Sequence, residues 1–135
     1  MLRHSLRTAA VLLLLMAAGC TSPVAPRSTV YGPIEPDIPR RIYVTTNGER
    51  EAILTYLELA GFSIESDPRN ATFVLAVQLG SKRDTRDCGA VRNVTYALSH
   101  SGVLIARIVG RGRFGRCSPN ILSQMSQELA RLFSR

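Results

Sequence analysis

The feature that most constrains this chain is an uncharged apolar run near its start. Residues 8–19 contain no charged side chain, and residues 1–7 carry two arginines and no acid. Twelve residues are too few to cross a hydrocarbon core about 30 Å thick as a helix. A positive end, a short apolar run and small residues before Cys20 are typical of a secretory signal peptide. The alternative is a buried core helix, but the run has no polar face. We therefore predict an exported protein with a leader over residues 1–19.

The four residues Ala17-Ala18-Gly19-Cys20 resemble the lipobox of bacterial lipoproteins. The resemblance implies that Cys20 is diacylated, becomes the first residue after cleavage and is then usually N-acylated. Two or three acyl chains give stable anchoring where one would be marginal. Thr21 stands where an aspartate would signal inner-membrane retention, so the resemblance implies anchoring in the outer membrane, facing the periplasm. The alternative is an ordinary secreted protein with Cys20 near its start.

Prolines dominate the segment after this cysteine, because residues 21–40 contain five of the seven in the chain. Each proline lacks an N–H and pushes the preceding residue toward extended geometry, which excludes a helix or a central strand. We therefore predict that residues 20–40 form a lipidated, Pro-rich tether. At about 3 Å per residue it would reach roughly 60 Å and hold the domain away from the bilayer.

Residues 41–135 have the hydrophobic periodicity of one small domain. Short β-branched or alternating runs predict strands over residues 41–45, 62–65, 72–80, 91–98 and 103–114. Apolar residues at helical spacing predict one helix with a capping box at Thr46–Glu49 and an end at Gly61. A second helix is predicted to begin at Ser118-Pro119. The order β-α-β-β-β-β-α predicts an α+β two-layer sandwich, with a mainly antiparallel sheet and both helices packed on one face.

Two cysteines, Cys88 and Cys117, bracket the long hairpin that the last two strands form. They are an even pair once lipidation has used Cys20, and an oxidising periplasm favours a disulfide between them. Closing a loop of about 30 residues stabilises a fold by roughly 3–4 kcal/mol in the chain-entropy model. A redox-active pair would need C-x-x-C spacing or a nearby base, and the sequence has neither. We predict a structural disulfide.

Basic charge is concentrated in the same hairpin. Loss of the leader lowers the net charge from +7 to +5, and residues 82–116 carry eight bases against two acids. Strand alternation places Arg107, Arg111 and Arg113 together on the face away from the core, with Asn93 and Thr95 opposite them. Arginine forks suit phosphate and carboxylate groups, so these three are candidate binders of lipopolysaccharide phosphate or peptidoglycan. The alternative is a solvated sheet face whose arginines partly reflect codon composition.

A literal G-x-G-x-x-G occurs at residues 110–115. A dinucleotide site needs the following helix to lead into a parallel strand, with an acid about twenty residues on. The residues after Gly115 offer neither, so we expect no cofactor. We expect the glycines to ease a bulge or a twisted strand end instead.

No catalytic or metal-binding constellation is recognisable in the sequence. His100, the only histidine after the leader, has no second ligand at metal-binding spacing. Ser99 and Ser101 beside it cannot form a triad, because adjacent turn residues cannot orient one another. An envelope hydrolase would need an acid–base pair that the sequence lacks, so we expect no enzyme. Export makes nucleic acid the wrong partner for the basic hairpin.

The overall plan of lipobox, Pro-rich tether, βαβ unit, long hairpin and C-terminal helix resembles that of small outer-membrane lipoproteins. The LPS-assembly lipoprotein family, whose members are a plug and chaperone for a β-barrel partner, is the one it resembles in topology over residues 41–135. The resemblance implies an accessory or assembly role. We predict a non-catalytic lipoprotein that binds the membrane through its anchor and an envelope protein through its domain. The alternative is a direct binder of an anionic glycan or lipid through the arginine face.

Overall fold

Seven strands, two α-helices and a single 3-10 turn (Pro68–Asn70) occur in the part of the chain that the computed structural model describes, residues 22–85, 89–114 and 119–134. This content confirms the α+β class. The strands are β1 (Val24–Val30), β2 (Arg41–Thr46), β3 (Ser63–Ile64), β4 (Phe73–Leu79), β5 (Arg83–Thr85), β6 (Gly89–His100) and β7 (Val103–Arg113). The helices are α1 (Arg50–Leu59) and α2 (Ile121–Phe133). Neither is long and apolar enough to cross a membrane.

All of these strands belong to one mixed sheet. The order across it is β1-β7-β6-β4-β2-β3, and β5 pairs with β6. Strand β2 runs parallel to β3 and β4, whereas the pairs β4–β6, β5–β6, β6–β7 and β1–β7 are antiparallel. The sheet is thus mainly antiparallel, with a parallel part where α1 makes the crossover.

The core lies between one face of this sheet and both helices. Strand β4 alternates strictly between buried and exposed residues, and its buried side chains line up with buried ones on β2 and β6. The core residues of the strands and helices form a single cluster. Both helices therefore cover the same sheet face. We call the opposite face, which no described helix covers, the open face.

Local cap chemistry at the helix ends differs in part from the sequence prediction. The predicted capping box is wrong. Thr46 Oγ1 forms hydrogen bonds with the backbone of Gly48. Glu49 takes a left-handed conformation and makes no side-chain cap bond. Helix α2 is capped by Asn120, whose side chain accepts a hydrogen bond from Leu122 N at 2.9 Å. Gly61 does take the left-handed conformation expected after α1, with φ of 98°.

The main correction concerns the segment predicted as a tether. Residues 24–30 form the edge strand β1, which pairs with β7 from Val24 opposite Arg111 to Val30 opposite Ala106. Prolines are compatible with an edge strand because its outer side needs no N–H partner, and a register shift accommodates the region around Pro26. The folded body therefore begins close to Ser22, and this stretch does not form the predicted 60 Å spacer.

Candidate functional site

The arginine face, which we define as Arg107, Arg111 and Arg113, has the side-chain directions that strand alternation predicts. Ala106 and Ile108 of β7 are buried in the core, and the alternate positions 107, 109, 111 and 113 point to the open face. Register places Asn93 opposite Arg111 and Thr95 opposite Val109, so the predicted polar neighbours lie on the same face. Arg107 is exposed, whereas Arg111 and Arg113 are half-buried.

The three predicted arginines are not equivalent. Arg111 donates from Nε to the backbone carbonyl of Ser22 at 2.8 Å. Arg113 has a buried Nε with no hydrogen-bond partner among the described residues. Residues two apart on a strand are separated by roughly 7 Å, so Arg107 and Arg111 are about 13 Å apart. They form a row along the strand, not one compact anion pocket.

A fourth arginine belongs to this face and was missed at the sequence level. Arg27 lies on β1 opposite Val109, and it is exposed. With Val24, Asn93 and Arg111 it lines a shallow cavity of about 340 Å³. The prolines of the supposed tether hid this strand, although the β-branched pair Thr29-Val30 was a signal for it.

A second feature, which we call the apolar groove, lies at the other end of the sheet. It has a volume of about 470 Å³ and lies where residues 32–38 cross the beginning of β4 and the β6–β7 turn. Its apolar walls come from Ile34, Ile38, Phe73, Val103 and Ile105. Of these wall residues Val103 is 63% exposed, and Tyr31, the residue before the segment that forms the groove, is 57% exposed. Sequence reasoning did not find this groove, because it depends on how the segment after β1 folds over the sheet.

His100 belongs to the wall of the apolar groove. Its Nδ1 lies 2.8 Å from the carbonyl oxygen of Thr72, and its ring centroid is 5.4 Å from that of Phe73. These contacts hold the β6–β7 turn against the start of β4. Ser101 and Gly102 complete that turn with positive φ, which is the backbone of a two-residue hairpin loop.

The glycines of the G-x-G-x-x-G match serve packing. A Cβ atom added at Gly110 would lie 3.0 Å from Met125 Sδ, and one at Gly112 would lie 3.0 Å from Ile121 Cβ. Register between β6 and β7 continues through both positions without a shift. The β1–β7 register does shift opposite Gly110, between Val24 and Arg27, so the expected bulge lies on β1 beside this glycine. The two glycines also let α2 approach β7 closely.

Metal-ligating groups do not gather in the described residues, where no three His, Cys, Asp or Glu side chains lie close enough to hold an ion. Cys20, Cys88 and Cys117 fall outside the described residues. Lipidation of Cys20 and the disulfide between Cys88 and Cys117 therefore stay predictions. The ends of β6 and β7 that adjoin the two hairpin cysteines are in register, with Val91 opposite Arg113.

The solved structures that are similar to this chain include two PelC dodecamers and a minor lipoprotein. A PelC dodecamer from Paraburkholderia phytofirmans has a TM-score of 0.55 at 18% identity, covering 83% of this chain and 99% of that one. Another PelC dodecamer from the same organism has a TM-score of 0.50 at 18% identity, covering 81% and 94%. A minor lipoprotein from Acinetobacter baumannii has a TM-score of 0.40 at 11% identity, covering 72% and 92%. No family model and no curated protein matches the chain. The PelC structures show that this fold occurs elsewhere, and identities this low show the fold alone.

Proposed function

We propose that this chain is a lipid-anchored envelope lipoprotein that works without catalysis as an accessory or protein-binding subunit at the outer membrane. The observation that carries the proposal is the Gly19-Cys20 junction, which lies directly before the folded body at Ser22. Acyl chains on Cys20 would fix that body to a membrane surface. The open face and the apolar groove would then serve partners in the same compartment.

Protein binding is supported by the apolar groove and its surroundings. Exposed apolar side chains that lie together commonly mark an interaction site on a water-exposed domain. The acids Glu35 and Asp37 are exposed on the segment that forms the groove. The occupant that fits is therefore an apolar segment of an envelope protein with a basic residue beside it. PelC, which shares the fold, forms a dodecamer, so a second copy of this chain is another protein to test as the occupant.

Replacing Cys20 with serine tests the anchor. We expect wild-type protein in growing cells to incorporate labelled palmitate and the Cys20→Ser variant to incorporate none, since the thiol is the attachment atom. The variant should also keep its leader, and its mass will show this. Cys88→Ser is the matched control and should keep the label. Label on the Cys20→Ser variant, or none on the wild type, would refute lipidation at this position.

Photo-crosslinking in intact cells tests the groove. A photoreactive amino acid at Val103 is expected to give a discrete adduct that Ile34→Glu removes, because a charge in the groove disfavours an apolar occupant. The same amino acid at Leu59, an apolar residue of α1 that is 78% exposed, is the control and should give no such adduct. Equal adducts at positions 103 and 59 would rule the groove out. An adduct of twice the chain mass would identify a second copy as the occupant.

The alternative function is direct binding of an anionic envelope ligand through Arg107, Arg111 and Arg113. It is favoured by the open face, where Arg27 adds a fourth base and the described positions of β1, β2, β4, β6 and β7 that point to this face include no acid. Under this alternative no adduct forms at position 103. Binding to lipopolysaccharide or peptidoglycan would instead depend on the three arginines.

A further inference from the structure

The folded body begins immediately after the residue that we propose to be lipidated. Ser22 is two residues beyond Cys20, and two residues span about 7 Å at most. The carbonyl of Ser22 accepts a hydrogen bond from Arg111, which ties it to β7. If Cys20 carries acyl chains, the end of the sheet at Ser22 therefore lies at the level of the lipid headgroups.

That end of the sheet is rich in positive charge. Arg111 and Arg113 occupy the last part of β7, and Arg27 lies three residues into β1. Lys82 is exposed and follows β4, whose last residue, Leu79, is in register with the same end of β6. We call the four residues Arg27, Lys82, Arg111 and Arg113 the basic end. At about 3.3 Å per residue along a strand, the backbone positions of Arg27, Arg111 and Arg113 lie within roughly 17 Å of Ser22.

Charge at the opposite end of the sheet is largely compensated. Arg41 lies 2.9 Å from Glu65, and Arg69 lies 2.9 Å from Asp67, measured from guanidinium nitrogen to carboxylate oxygen. Among the residues whose side chains the structure describes, no such pair is formed by Arg27 or Lys82. These two bases therefore lie unpaired among those side chains at the end beside the proposed anchor, whereas the opposite end is nearly neutral and apolar.

We propose that the basic end binds the anionic phospholipid headgroups of the membrane that holds the anchor. The proposal rests on the proposed lipidation, which holds this end of the sheet beside the membrane surface. Phosphates of the headgroups complement the arginine and lysine side chains, and several bases near an anionic surface add their attractions. Bound in this way, the domain has a defined orientation. The apolar groove then points away from the bilayer, toward partners in the periplasm.

Vesicle binding by the unlipidated mature chain tests the basic end without the anchor. The protein is residues 20–135 with Cys20→Ser, which keeps every described element. We expect it to sediment with vesicles of 70% phosphatidylcholine and 30% phosphatidylglycerol, and not with phosphatidylcholine alone. Binding should weaken several-fold between 50 and 300 mM salt because screening shortens the reach of charges. Inorganic phosphate added at constant ionic strength should not displace the protein from the vesicles. Displacement would instead indicate a site that binds a free phosphate ion without a membrane surface.

Two double variants locate the interaction. Arg27→Gln with Lys82→Gln should lower the partition coefficient about twenty-fold or more, because each base near the surface contributes a factor of about five. Arg41→Gln with Arg69→Gln removes the same charge at the opposite end and should change it less than two-fold. Equal loss in both variants, equal binding to the two vesicle types, or competition by phosphate would overturn the proposal. Palmitate label on the wild type with no vesicle binding would leave the anchor in place and reject only the headgroup contact.

Discussion

Replacing Phe133 with alanine is expected to lower the free energy of unfolding by about 3–5 kcal/mol, the usual cost of emptying a buried aromatic site. Phe133 is the last residue of α2 and is 1% exposed. Its ring meets Phe62 and Phe73 edge to face, at centroid distances of 5.3 and 5.2 Å. The guanidinium carbon of Arg40 lies 5.3 Å from its centroid. The substitution therefore removes packing that joins α2, β4 and the segments before β2 and β3.

Urea unfolding followed by circular dichroism measures this effect. A loss of 3–5 kcal/mol is a large share of the 5–15 kcal/mol that stabilises a typical domain, so the midpoint should fall sharply. Leu59→Ala is the control, because a side chain that is 78% exposed should change the stability by no more than about 0.5 kcal/mol. A cost below about 1 kcal/mol for Phe133→Ala would contradict the packing of the three rings.

Raising the pH above 10 is expected to destabilise the domain through Tyr96. Burial raises the pKa of this phenol from 10.0 to about 12, against a smaller lowering by its hydrogen bond with Ser126. The folded state therefore keeps the proton at a pH where the unfolded chain has lost it, and stability falls as pH rises. A difference of about two pKa units corresponds to roughly 3 kcal/mol, lost progressively between about pH 10 and 12.

Urea midpoints between pH 8 and 11.5 check this dependence. Tyr96→Phe should lose about 1 kcal/mol at pH 8, since the Ser126 hydroxyl loses its partner at 3.1 Å. The same variant should show a shallower alkaline decline than the wild type, because it lacks the titrating phenol. Ser126→Ala is the control and should keep the steep decline, since Tyr96 stays buried. Identical alkaline slopes for wild type and Tyr96→Phe would show that Tyr96 does not cause the loss.

The periodic parts of the chain were predictable because their hydrophobic pattern indicates which side of the strand or helix is buried. The alternation of Phe73, Leu75, Val77 and Leu79 predicted a strand with one core face, and β4 has that face. The same alternation placed Arg107 and Arg111 on the opposite side of β7. Gly61 was predictable as a helix end because glycine adopts a positive φ without steric cost.

Other features could not be predicted, because they depend on residues that are distant in sequence. Edge strand β1 forms only because β7 presents an unpaired edge, and prolines alone predict a spacer. The apolar groove needs residues 32–38 and the β6–β7 turn, about 65 positions away, to meet over β4. The cap of α2 lies at Asn120, two residues beyond the predicted Ser118, where β7 positions the helix through a bridge from Arg113 to Asn120.

The sequence by itself therefore determined the α+β class, the long hairpin and the side of β7 that carries arginine. Each of these follows from local hydrophobicity or alternation, which a single segment contains. The tertiary structure alone decided that the Pro-rich segment joins the sheet, that both glycines of residues 110–112 make room for α2, and that Arg27, Arg111 and Arg113 lie at the end of the sheet next to Ser22. These features arise where two distant segments meet, and the pattern of either segment alone does not indicate the free energy of that contact.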